Sequence, residues 1–216
     1  MIFLEFKDKL AGFGIFSTKD VKKFFPRFDR RRLSEWQNKN YILKLRNSWY
    51  CFPEYLINKN SHWLIANLIH TPSYISLETV MSWYQIIPEG AFSITSVTTN
   101  KPSHFEIQSC HYYYNTVKPA LFFGYRFLEI EHNTSYRTSA GFNNTRQILI
   151  AEPEKAILDF MYLHPCYKSE KDFYELRLNS IVMKEEIDEN KLNKYLEKFK
   201  SPVLEKRIAM LYKTLL

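Results

Sequence analysis

The segment RRRLSEWQNK, residues 30–39, carries the side chains that read base edges: Arg30, Arg31, Ser34, Gln37 and Asn38. The arginine fork matches the two acceptors of guanine, and a Gln or Asn amide matches the donor–acceptor pair of adenine. At about 100° per residue these five share an arc of roughly 120°, while Leu33 and Trp36 fall together elsewhere and can enter a core. Glu35, four residues beyond Arg31, is expected to pair with it. Arg32 and Lys39 leave the arc, towards phosphate or solvent.

An isolated charged helix is usually only a solvated face, so the elements around this one decide its meaning. Ser17 can cap a helix over Thr18 to Phe25, with Asp20 three residues on. Pro26 stops it, because the residue before a proline is pushed out of the α region. Asp29 can cap the next helix, Arg30 to about Lys39. Two extended segments follow, Ile42 to Leu45 and Trp49 to Phe52, with Arg46, Asn47 and Ser48 as the turn. Upstream, Phe3, Leu4, Phe6, Leu10 and Phe13 give an apolar helix face ended by Gly12 and Gly14. The order is helix, helix-turn-helix, then a wing carrying Lys44, Arg46 and Asn47.

Charge follows the same division. The net charge is +7. Residues 1–55 hold twelve Lys/Arg against six Asp/Glu, and the remainder eighteen against seventeen. Nearly all the excess therefore sits in the expected winged helix, the footprint of a phosphate-binding surface. No apolar run reaches the 18 or more residues of a spanning helix, and no signal peptide is recognisable. Cys51, Cys110 and Cys166, odd in number and widely spaced, point to reduced thiols in a cytoplasm.

The boundary is expected between Tyr55 and Asn60, giving domains of 1–57 and 58–216. In the second, Ser61 can cap a helix from His62 to Ile69, and Ser76 another through about Gln85. Strands are expected over Ala91 to Thr99, Phe105 to Tyr114, Leu121 to Glu131 and Arg146 to Ile150. Pro153 opens a helix to about Leu163, with Glu152 and Glu154 near the positive end of its dipole. Helices over Glu170 to Ile181, Asp188 to Phe199 and Pro202 to Leu215 close the chain. The fold class is α+β, a winged helix-turn-helix followed by a mixed α/β domain with C-terminal helices.

Catalytic constellations are weak. His104, His111 and His132 stand seven and twenty-one residues apart, which fits no compact ligand motif, and they read as strand or loop residues. Glu152, Glu154, Lys155 and Asp159 read as a structural helix start. The phosphate-loop, dinucleotide, zinc-protease and nucleophile-elbow motifs are missing, and five glycines are poor material for a phosphate cradle. The expectation is a protein that is not an enzyme and needs neither metal nor cofactor.

Two stretches carry a family resemblance: YISLETVMSWYQIIPEGAFSITSVTTNKPSHFE (Tyr74 to Glu106) and AEPEKAILDFMYL (Ala151 to Leu163). Together with the order of elements they resemble the AbiEi family, antitoxins of type IV toxin–antitoxin and abortive-infection systems in bacteria. That resemblance implies an N-terminal domain that binds repeats in its own promoter and represses the operon. It also implies a C-terminal domain that counteracts a nucleotidyltransferase-like AbiEii toxin. The expected partners are double-stranded DNA and that toxin, with no membrane. The DNA-contacting set is Arg30, Arg31, Ser34, Gln37, Asn38, Lys39, Lys44, Arg46 and Asn47. The alternative is a module whose winged helix contacts protein and not specific DNA.

Overall fold

A computed structural model of the chain describes residues 2–131 and 145–215, so His132 lies outside the described residues. The fold is α+β, in two compact units. The first takes the described residues up to His70 with those of Glu129–Ile148, and the second takes Thr71–Leu128 and those from Leu149 on.

The first unit opens with α1 (Phe3–Leu10), ended by a 3-10 turn over Ala11–Phe13 and by Gly14 at φ 61°. A Cβ on Gly14 would stand 2.0 Å from the Tyr55 ring, so both space and backbone demand glycine there. Next come β1 (Ile15–Ser17) and α2 (Thr18–Phe24). Ser17 caps α2 as expected, in a reciprocal box: its Oγ accepts from the Asp20 amide, and the Asp20 carboxylate accepts the Ser17 N–H at 2.9 Å. Then follow α3 (Arg31–Asn38), β2 (Leu43–Arg46) and β3 (Trp49–Cys51). β3 lies between β1 and β2, antiparallel to both, with Ile15 and Leu43 each opposite Cys51. β1 was not anticipated, since three residues leave no periodicity to read.

A 3-10 turn over Pro53–Ile57 leads into α4 (Lys59–Ile69). The cap of α4 is Asn58, whose Oδ1 accepts from the Asn60 amide, and not Ser61, which is buried inside the helix. The expected boundary at residue 57 differs from the division found: α4 groups with the first unit. The reason is local bonding. Arg46 Nη1 donates to the Ile69 carbonyl at 2.7 Å, and His62 Nε2 lies 3.2 Å from the Leu56 carbonyl. Arg146 groups there as well, with its guanidinium 5.7 Å from the Phe13 ring.

The second unit holds a mixed sheet. Its elements are β4 (Ser73–Ile75), α5 (Leu77–Trp83), β5 (Ser93–Thr98), β6 (Ser103–Ile107), β7 (Cys110–Thr116), β8 (Tyr125–Glu131) and β9 (Thr145–Ala151), the outer ends of β8 and β9 being assigned to the first unit. Strand order is β6-β7-β5-β4-β9-β8. β5 runs parallel to β7 and β4 parallel to β9, while β4–β5 and β6–β7 are antiparallel. The single strand expected over Phe105 to Tyr114 is therefore a hairpin, turned at Gln108 with φ 52°. Helices α6 (Pro153–Leu163), α7 (Glu170–Glu175), α8 (Ser180–Glu186), α9 (Glu189–Phe199) and α10 (Pro202–Leu215) complete it. α7 and α8 replace one expected helix, which breaks at Arg177, φ 50°.

Every residue of α6 from Pro153 to Met161 is buried, charged ones included. Lys155 and Asp159, both fully buried, form an ion pair one turn apart. Asp159 Oδ2 also accepts from the Tyr74 and Ser76 hydroxyls, each at 2.9 Å, and Lys155 Nζ donates to the Tyr74 oxygen at 2.9 Å. Ser76, expected to cap α5, makes no side-chain cap bond and turns to Asp159 instead. Burial lowers the lysine pKa and raises that of the aspartic acid, and their mutual attraction opposes both shifts. Among the described residues no helix is long and apolar enough to cross a membrane, and Cys51, Cys110 and Cys166 are free thiols.

Removing one member of a buried pair strands the other, at a cost of about 3–5 kcal/mol. Urea unfolding of Lys155→Met should show a loss of that size, and Lys155→Met with Asp159→Leu should lose distinctly less. A double variant as unstable as the two single losses combined would mean that the pair does not act as a unit.

Candidate nucleic-acid interface

The orientation of α3 is set from beneath. Trp36 and Leu33 are buried with Phe6, Leu10, Phe16, Val21, Ile42, Tyr50 and Phe52 in one cluster. The Trp36 ring lies 4.5 Å from Phe6, 5.2 Å from Phe3 and 5.9 Å from Phe28, centroid to centroid. These tilted and edge-on contacts add to the area they bury. With that face held, helix geometry leaves Arg30, Arg31, Ser34, Asn38 and Lys39 exposed and Gln37 half-buried. The division of faces expected from spacing is the one present.

Arg31 departs from expectation in its partner. Its Nε lies 2.9 Å and its Nη2 2.8 Å from Asp29 Oδ2, and Asp29 Oδ1 accepts the Arg31 backbone N–H at 3.0 Å. The ion pair is therefore with Asp29 and not Glu35, because Asp29 already sits at the helix start. The hydrogen bonds from Arg31 hold the Asp29 carboxyl below the usual range. Both side chains are open to solvent, so a phosphate or base can compete for the guanidinium. Arg30 sits at the N-cap position of α3 without a side-chain cap bond.

The hairpin of β2 and β3 divides the remaining residues. Lys44 and Asn47 are exposed. Arg46 is not free for a wing contact: its Nη1 bonds the Ile69 carbonyl and lies 2.8 Å from His70 Nδ1. A cation at the C-terminus of α4 complements the helix dipole, so Arg46 ties the root of the β2–β3 hairpin to α4. The Thr18 amide donates to the Ser48 carbonyl at 2.9 Å, which fixes the hairpin tip beside the start of α2. Sequence reasoning did not single out Lys19, Lys22, Lys23 and Arg27, all exposed on α2 and the turn after it. Their spacing in KDVKKFFPR was legible only as charge. Exposed cations on both helices and the hairpin are able to meet phosphates, and the α3 arc can meet base edges.

No family model matches the chain, and no curated protein matches it.

His70 and His62 have pKa values lowered by burial, His70 also by the Arg46 charge. The folded chain thus binds these protons more weakly than the unfolded chain. Their contribution to stability is complete above an unfolded pKa of about 6.5 and is lost as pH falls below that through the lower folded values. Tm measured at pH 7.5 and 5.5 should fall on acidification, and His70→Gln should shrink that fall. An unchanged fall in His70→Gln would contradict the role given to the Arg46–His70 contact.

Proposed function

We propose that the chain is a sequence-specific DNA-binding autorepressor and antitoxin, with no catalytic activity of its own. The observation that carries the DNA-binding half is the exposed arc of α3. Its side chains are the exposed Arg30, Arg31, Ser34 and Asn38 with the half-buried Gln37, behind which Trp36 and Leu33 are locked into an aromatic core. In this reading the first unit works as a winged helix-turn-helix. α2 crosses the backbone, α3 enters the major groove, and Lys44, Asn47 and Lys39 take phosphates. Arg46 positions the wing and does not touch DNA. The target is the duplex upstream of the chain's own gene.

The antitoxin half rests on the resemblance of Tyr74 to Glu106 and Ala151 to Leu163 to the AbiEi family. Both stretches lie in the second unit, whose sequence carries little of the excess charge, so its surface suits a protein contact better than a phosphate backbone. The counterpart is a nucleotidyltransferase-like toxin, and the proposed setting is the bacterial cytoplasm.

Two measurements test the halves apart. Arg30→Ala or Gln37→Ala should cost about 1–3 kcal/mol in binding to the upstream duplex and relax base preference. Unchanged affinity and preference in both variants would remove α3 from the groove. For the antitoxin half, the toxin is expressed from an unrelated promoter, where repression cannot lower its synthesis. A folded Arg30→Ala, Arg31→Ala variant should still rescue growth. Failure to rescue would mean that neutralisation is not separate from DNA binding.

A further inference from the structure

The hairpin of β6 and β7 joins two histidines that seven residues of sequence keep apart. In its register His104 stands opposite Tyr113 and His111 opposite Glu106, which makes the two histidines diagonal neighbours on one face. His104 is exposed and His111 half-buried. Their facing nitrogens, His104 Nε2 and His111 Nδ1, are 3.3 Å apart. The His104 ring is stacked on Tyr113, centroids 4.4 Å apart and planes within 8°, which holds its orientation.

At 3.3 Å the two nitrogens share a long hydrogen bond, one ring donating and the other accepting according to tautomer. That distance is also the separation two imidazole nitrogens adopt on one metal ion: at about 2.0–2.1 Å from a tetrahedral zinc, two ligands stand about 3.3–3.4 Å apart. We propose that His104 and His111 form a binding site for a divalent first-row transition metal, zinc, nickel or copper, with imidazole as the selecting ligand. Among the described residues no three metal-ligating side chains converge, so the protein supplies two ligands and water completes the shell. Glu106, across from His111 on the same face, is placed to accept hydrogen bonds from that water. As the ion enters, any proton between the facing nitrogens moves to an outer ring nitrogen or to solvent, leaving a lone pair from each ring for the metal.

The ion would act on the sheet's edge. β6 is the outermost strand beside β7, and an edge strand presents backbone groups that invite pairing with other chains. A metal bound across the two strands clips the edge to its neighbour, and it stabilises the folded chain by mass action. None of this depends on the DNA-binding or antitoxin reading.

Calorimetric titration of the full chain, purified without a histidine tag and freed of metal by chelator, tests the site with zinc chloride and with nickel chloride at pH 7.5. The expected result is one saturable site per chain. It should be lost in His104→Ala and in His111→Ala and retained in His164→Ala, with folding checked by circular dichroism. Should a variant not fold, nickel titration of the wild type followed by NMR decides: the ring resonances of His104, His111 and Tyr113 should broaden first. No saturable binding, binding that survives both substitutions, or first broadening at other histidines would overturn the proposal.

Discussion

The packing of the Trp36 ring on Phe6 is the contact on which the first unit turns. α3 has eight residues, too few to be stable as an isolated helix in water, and its exposed face is almost wholly polar. Burial of Trp36 and Leu33 therefore fixes both its existence and its rotation. Phe6 in turn meets Phe16 from β1, Phe25 and Phe28 from the turn after α2, and Phe52 beyond β3, all within 6.4 Å between ring centroids. One ring thus sets α3 against β1, the turn after α2 and the segment beyond β3. A 30-fold weakening of folding in a domain this small corresponds to about 2 kcal/mol, less than the truncation of one such ring costs.

The second unit rests on a different constraint. Lys155 and Asp159 are taken wholly out of water, and such a pair holds only if its remaining donors and acceptors find partners. Tyr74 from β4 and Ser76 beyond it supply them. The rings of Phe123 and Phe199 lie 5.0 and 5.2 Å from the Lys155 ammonium. Residues far apart in sequence are thereby held in one arrangement around α6. The stretches that carry the family resemblance include both ends of this network, Tyr74 and Ser76 in one and Lys155 and Asp159 in the other. Two segments distant in sequence, Tyr74 to Glu106 and Ala151 to Leu163, are thus joined by one buried polar network.

Much of this was legible in the sequence, and the exceptions have physical reasons. The Ser17 cap, the arc of α3 and the start of α6 at Pro153 follow from local rules that tertiary packing did not override. The β6–β7 hairpin was hidden because its turn has neither glycine nor proline: Gln108 takes the left-handed conformation itself. That same turn concealed the juxtaposition of His104 and His111. The break at Arg177 has the same origin. Arg46 looked like a wing cation, but its partners, the Ile69 carbonyl and His70, are more than twenty residues away. The burial of Lys155 and Asp159 was masked by their helical spacing, which equally fits an exposed pair. Only the apolar residues on every side of them, AILDFMYL, signalled a helix covered all round.

The central claim is that a basic surface built around α3 reads duplex DNA. The most direct test is selection of the wild-type chain on a random-sequence duplex pool, followed by titration of the enriched duplex against salt. The account predicts enrichment of a defined sequence. It also predicts that log affinity falls linearly with log salt, with a slope of about −0.9 for each phosphate neutralised and several phosphates in all. A pool that stays random, with binding indifferent to salt, would contradict it.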